Sequence, residues 1–157
     1  MQTRSILGVS IHQVNLEQLR KLCDQWLKAT GSHHIVTVNP EYIMMAQKDP
    51  AFAAVLNGAD IAIADGAGIV WASETLYGKA GKLERITGAD FSWELARLCS
   101  QNGKKMYLLG ARSDEVVQKA GLAFQRANPE LKIVGMRGGV SSQGSNEPFF
   151  PEFGKES

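Results

Sequence analysis

Apolar positions change their spacing several times along the chain, and each change marks an element. A short apolar stretch, Ile6 to Ile11, precedes Asn15, which can cap a helix whose Leu16, Leu19, Cys23, Trp26 and Leu27 recur at helical spacing until Gly31. His34 to Asn39 (HIVTVN) is a β-branched run of strand length, and Pro40 with Glu41 then suits the first turn of a helix. Asp49 and Pro50 start a further helix that ends near Asn57 and Gly58. Asp60 to Ala64 (DIAIA) reads as a buried strand, and Asp65-Gly66-Ala67-Gly68 turns it into an apolar helix reaching about Tyr77. Phe91, Leu95 and Leu98 define the next helix, closed by Gly103. Lys105 to Gly110 is a strand, Ser113 opens a helix stopped by Asn128 and Pro129, and Leu131 to Gly135 is one more strand. Strands alternating with helices at this rhythm predict an α/β fold, Rossmann-like, with a mostly parallel sheet and helices on both faces.

The alternation stops after Gly139, where a further element should begin. Residues 140–157 are rich in serine, glycine and proline, and Val140 is their single aliphatic. The expected organisation is therefore an incomplete domain over residues 1–139 and an irregular or disordered tail over 140–157. A shifted reading frame would give this pattern, and a naturally disordered tail is the alternative. A chain of 157 residues with net charge +1 is the size of one domain and carries no electrostatic footprint for nucleic acid. No run approaches the ~20 apolar residues that span a bilayer, so a cytoplasmic location is expected. Cys23 and Cys99 fall within apolar helical patterns and read as buried thiols, not as a disulfide or metal knuckle.

In an open parallel sheet ligands bind beyond the carboxyl ends of the strands, where helix N-termini also offer unpaired N–H groups. That rule selects Thr37 and Asn39, Asp65 with Gly66 and Gly68, Gly110 with Arg112, and Arg137 as a weaker candidate. Asp65 follows a strand and precedes two glycines, which allow close approach of a ligand, and its carboxylate suits a general base. The structural alternative is an Asp-Gly turn whose side chain caps the following helix. Gly66-Ala67-Gly68 resembles half of a dinucleotide fingerprint, but Trp71 takes the third glycine position, which argues against a nicotinamide site. Arg85, in a polar loop, suits a diphosphate or is simply solvated. His33 and His34 sit at a strand's amino end and read as structural, and His12 has no evident partner in the sequence. Met44, Met45, Trp26, Trp71 and Trp93 occupy positions read as core.

Five strings together carry a wider resemblance: Thr37–Asp49 (TVNPEYIMMAQKD), Ala64–Ser73 (ADGAGIVWAS), Glu84–Phe91 (ERITGADF), Lys105–Arg112 (KMYLLGAR) and Ala127–Gly135 (ANPELKIVG). In this order they resemble the WecG/TagA/CpsF family of bacterial glycosyltransferases. The resemblance implies transfer of an N-acetylmannosamine-type sugar from a UDP-sugar donor to a polyprenyl-diphosphate-linked acceptor sugar, for cell-surface polysaccharide synthesis such as teichoic acid. It implies inversion without metal or other cofactor. The family's motif aspartate, its proposed base, falls on Asp65; its Thr-x-Asn pair falls on Thr37 and Asn39; its Glu-Arg motif places Arg85. Gly66, Gly68, Gly110, Ala111 and Arg112 are the further substrate-binding residues expected.

The resemblance also sets expectations about partners. Relatives of full length contact the membrane peripherally, which places the reaction at the cytoplasmic face of the plasma membrane. Members of the family continue with a Gly-x-Pro-x-Gln-Glu segment and a basic appendage that this sequence does not match. A non-catalytic nucleotide-sugar-binding fragment is therefore the competing reading. Self-association is a further expectation, because a sheet halted early leaves an open edge.

Overall fold

The computed structural model of the chain describes residues 1–110 and 113–139. Ala111, Arg112 and the 140–157 segment set apart above lie outside the described residues. Within the described part, β1 (Thr3–Ile6) and β2 (Val9–His12) are followed by α1 (Leu16–Lys28), β3 (Ile35–Val38), α2 (Pro40–Ala46), α3 (Pro50–Asn57), β4 (Ile61–Ala64) and α4 (Ala67–Tyr77). After a short 3-10 turn at Lys79–Gly81 come α5 (Gly88–Gln101), β5 (Lys105–Leu109), α6 (Asp114–Ala127) and β6 (Lys132–Arg137). β3 pairs in parallel with β4 and β5 in parallel with β6, while β1 and β2 form an antiparallel hairpin. The fold is mixed α/β, as the alternation predicts. Its described strands are grouped by ladder hydrogen bonds into three pairs, not into one continuous run.

Local chemistry sets most of the boundaries. Side-chain oxygens of Asn15, Asn39, Asp49, Thr87 and Ser113 each accept a first-turn N–H, satisfying donors that a helix leaves unpaired. Asn128 stands at the end of α6, as the Asn-Pro stop predicts. Two boundaries differ from expectation. The Ile6 to Ile11 stretch is cut in two by Leu7 and Gly8, whose φ angles of +48° and +82° make the hairpin turn. Helix α1 closes at Ala29, whose N–H reaches Gln25 O and Trp26 O, ahead of the predicted stop at Gly31.

The β3–β4 pair is sandwiched. Val36, Val38, Ala62 and Ala64 face a cluster with Ile43 and Ala46 of α2, Leu56 of α3 and Ile69 of α4. Ile35, Ile61 and Ile63 face the opposite way, onto Leu19 and Cys23 of α1 and Phe91 and Leu98 of α5. A third cluster joins Ala96 and Cys99 of α5 to Met106, Phe124 and Leu131 beside the β5–β6 pair. Met44, Met45, Trp71 and Trp93 are not core residues, contrary to expectation: all four are exposed, Trp71 at 70% and Met44 at 54%. Each helix covers its sheet with one stripe, which in α2 is Ile43 and Ala46 and in α4 is Ile69 and Ser73, and residues off that stripe face outward. Trp93 meets Phe124 edge-on, and the half-buried Trp26 stacks on His33.

Candidate functional site

Alternation along the strands delivers two polar side chains to one rim. Thr37 of β3 and Asp65, directly after β4, continue the row begun by Ile35, Ile61 and Ile63, so both fall on the α5 side at the carboxyl end of the pair. The Asp65 N–H extends the ladder by donating to Val38 O at 2.8 Å. Its carboxylate does not cap α4. Oδ2 accepts the N–H of Gly88, the first residue of α5, at 3.1 Å. The capping alternative is thereby set aside: Gly66 itself takes the N-cap position of α4, with φ +111° and no side-chain cap. That left-handed backbone is accessible to glycine at little cost, and it leaves the first-turn N–H groups of α4 without a side-chain acceptor.

Three helix starts converge here. A Cβ on Gly88 would lie 3.3 Å from Thr37 Cγ2 and 3.7 Å from Asp65 Oδ2, so α5 begins against both side chains. On the other flank, a Cβ on Gly68 would lie 3.0 Å from Pro40 Cγ, and one on Gly66 would lie 3.6 Å from Pro40 Cδ. The start of α4 thus abuts the start of α2. Asn39 is first a structural residue: Oδ1 accepts the Tyr42 N–H at 2.8 Å. Arg85 is held beside β4 by backbone pairing, with Ile86 N donating to Ala64 O at 2.9 Å and Arg85 opposite Ala64 in an isolated parallel bridge. Its side chain is exposed. Among the described residues neither the Arg85 guanidinium nor Asp65 Oδ1 makes a hydrogen bond or ion pair.

Thr37, Asn39, Asp65, Gly66 and Gly68 are therefore brought to one carboxyl-end rim, as the strand-end rule predicts, and the loop carrying Arg85 pairs beside the end of β4. Gly110 belongs to the other parallel pair, where its N–H donates to Arg137 O at 2.9 Å with φ +110°. Arg137 ends β6. The sequence reading missed Gly88 and its neighbour Thr87. Their signal was present, since Thr87 followed by Asp90 three residues on is a helix start, and Asp90 both donates its N–H to Thr87 Oγ1 and accepts that hydroxyl.

His12 does have a partner: Nδ1 accepts the Ala62 N–H at 3.0 Å, and burial holds its pKa below the ordinary value. His33 lies 3.5 Å from Asp60, which also accepts the His34 N–H. Both cysteines are free and buried, and burial pushes the Cys23 thiol up to about 11 and raises Cys99 as well. Among the described residues no three His, Cys, Asp or Glu side chains gather to hold a metal, and no helix is long and apolar enough to cross a membrane.

Comparison with known proteins gives a family match over residues 4–150, to the Glycosyl transferase WecG/TagA/CpsF family. Similar curated relatives are N-acetylglucosaminyldiphosphoundecaprenol N-acetyl-beta-D-mannosaminyltransferases of Staphylococcus aureus strains NCTC 8325, COL and MRSA252. Each is 32% identical over 130 residues, which cover 82% of this chain and 50% of the relative. The chain thus spans half the length of the curated relatives it matches.

Proposed function

Because the chain belongs to the WecG/TagA/CpsF family of glycosyl transferases, we propose that it serves the transfer of an N-acetylmannosamine-type sugar from a UDP-sugar to a polyprenyl-diphosphate-linked acceptor sugar. Asp65 is the general base. The observation that carries this reading is the placement of its carboxylate: one oxygen is oriented by the Gly88 N–H, and the other is unengaged among the described residues at a rim ringed by helix starts.

The chemistry follows from that placement. The unengaged oxygen takes the proton of the acceptor hydroxyl as that oxygen bonds to the anomeric carbon. The bond from the anomeric carbon to the donor phosphate breaks with its electrons going to UDP, in one displacement that inverts the centre. Charge growing on the leaving diphosphate meets the uncapped N–H groups of α4 and the Arg85 guanidinium, which do the work a metal would otherwise do. Thr37 and the Asn39 amide hydrogen-bond sugar hydroxyls. Gly110, Ala111 and Arg112 line the nucleotide side. The reaction runs at the cytoplasmic face of the plasma membrane, where the lipid-linked acceptor resides, with peripheral contact and no nucleic acid.

The test is transfer from UDP-N-acetylmannosamine to a synthetic lipid-linked N-acetylglucosamine, with Asp65→Asn alongside. Turnover in the native chain that collapses in the variant supports the reading, and equal turnover in both removes Asp65 from its role. UDP binding without turnover in either favours a nucleotide-sugar-binding module instead.

A further inference from the structure

Asp90, in the first turn of α5, bonds to Thr87, and Thr87 leads directly to the candidate base. The Thr87 hydroxyl donates to Asp90 Oδ2 at 2.7 Å, and its Oγ1 accepts the Asp90 N–H at 3.0 Å, so the two residues hold each other from both ends. The Thr87 carbonyl accepts the Phe91 N–H at 2.9 Å. That carbonyl and the Gly88 N–H belong to one planar peptide, so bonds that fix Thr87 also aim the N–H that meets Asp65 Oδ2 at 3.1 Å. At the first position of a helix this N–H has no acceptor within the helix, and Asp65 fills that place.

We propose that Asp90 is a positioning residue for Asp65, acting through Thr87 and the Gly88 N–H. The inference rests on the function proposed above, and it adds what aims the base. The strand holds the Asp65 backbone through its N–H to Val38 O, but the side chain still turns about its own torsions. Among the described residues its one hydrogen-bond partner is the Gly88 N–H, which therefore sets which oxygen is held and where the other points. The start of α5 has little room to shift inward and restore a lost bond, because a Cβ on Gly88 would already lie 3.3 Å from Thr37 Cγ2. Helix formation by itself does not demand the acid: α6, also 14 residues long, starts on the Ser113 cap with Val116 at the matching position. A carboxylate displaced by about 1 Å costs on the order of 10²-fold in rate, so a residue that never touches substrate can govern turnover from here.

Two readouts separate this role from plain helix capping. In amide exchange followed by NMR, Gly88 is expected to be protected in the native chain and unprotected in Asp65→Ala, which lacks the acceptor. Asp90→Ala is expected to speed Gly88 exchange about tenfold or more while Ala96 and Leu98, buried farther along α5, keep their protection. Asp90→Asn, whose side-chain carbonyl still accepts the Thr87 hydroxyl, restores the native rate. In the transfer assay Asp90→Ala lowers kcat about 10- to 100-fold and leaves KM for the UDP-sugar within about twofold, and Asp90→Asn recovers kcat. Gly88 exchange that is fast in the native chain, or unchanged in Asp90→Ala, overturns the proposal. Lost protection along the whole of α5 assigns Asp90 to the fold and overturns it too, as does a kcat that ignores the exposure of Gly88. A native chain without transfer defeats the function proposed above, while Gly88 exchange still decides whether Asp90 aims Asp65.

Discussion

The two parallel strand pairs are built alike and buried differently. In β4 all four residues are buried, because α2, α3 and α4 cover one face and α1 and α5 the other. In β6 exposed and half-buried positions alternate, none of them fully buried, and Val134 is 52% exposed, so among the described residues this pair is packed on one face. A strand held from both sides presents its carboxyl end in one orientation, and that is where Asp65 and Thr37 stand. The β5–β6 pair relies on close backbone approach instead. A register shift between Met106 and Tyr107 brings Gly135 under the Tyr107 ring, where an added Cβ would come within 2.3 Å of Cε2.

The contrast can be tested at both ends. Asp65→Asn keeps an acceptor for the Gly88 N–H and removes the base, so turnover is expected to fall by about 10²–10⁴-fold while the thermal midpoint barely moves. A matching loss of stability would mean that the carboxylate serves the fold. Ile63→Ala, at a fully buried position of β4, is expected to cost about 2–5 kcal/mol in denaturant unfolding, whereas Val134→Ala in β6 stays within about 0.5 kcal/mol. Equal costs would erase the distinction between the pairs. Gly135→Ala should cost about 1–3 kcal/mol by driving a methyl group into the Tyr107 ring, and hydrogen exchange should quicken in β5 and β6 ahead of β3 and β4.

The smallest effect concerns how α1 is fastened to α5 over the β3–β4 pair. Arg20 holds Glu94 through Nε at 2.7 Å and through a second, shorter contact, with Arg97 assisting at 3.2 Å. These hydrogen bonds keep the Glu94 carboxyl below its ordinary value of 4.5. Below that value the unfolded chain takes up a proton that the folded chain still refuses, so the contribution is present above 4.5 and is lost as pH falls through the folded value. The thermal midpoint of Glu94→Gln should therefore depend less on acid than that of the native chain.

How much of this was legible in the chain varies residue by residue. Asn15, Asn39, Asp49 and Ser113 announce their helices because a cap acts on N–H groups two or three residues away, and Asn128-Pro129 announces a stop for a similarly local reason. The strands IVTV and IAIA were legible from β-branched and apolar runs, and the strand-end rule then pointed to Thr37 and Asp65. Trp71 and Met44 were misread because helical spacing reports a stripe without saying which neighbouring stripe meets the sheet. The Asp65 side chain stood open to two readings for a related reason: the glycine after it turns the backbone so that Gly66 caps α4, freeing the carboxylate for a different helix.

Short-range chemistry, acting over three or four residues, is written into the order of side chains, and from it come the elements, their caps and the polar residues at their ends. The junction of Asp65 with Gly88 spans 23 positions, and the seating of Arg85 beside Ala64 likewise depends on a loop returning to a strand edge. No local preference specifies such contacts. They exist because burying both faces of the β3–β4 pair leaves α5 and the Arg85 loop one place to go, and that burial belongs to the folded chain as a whole.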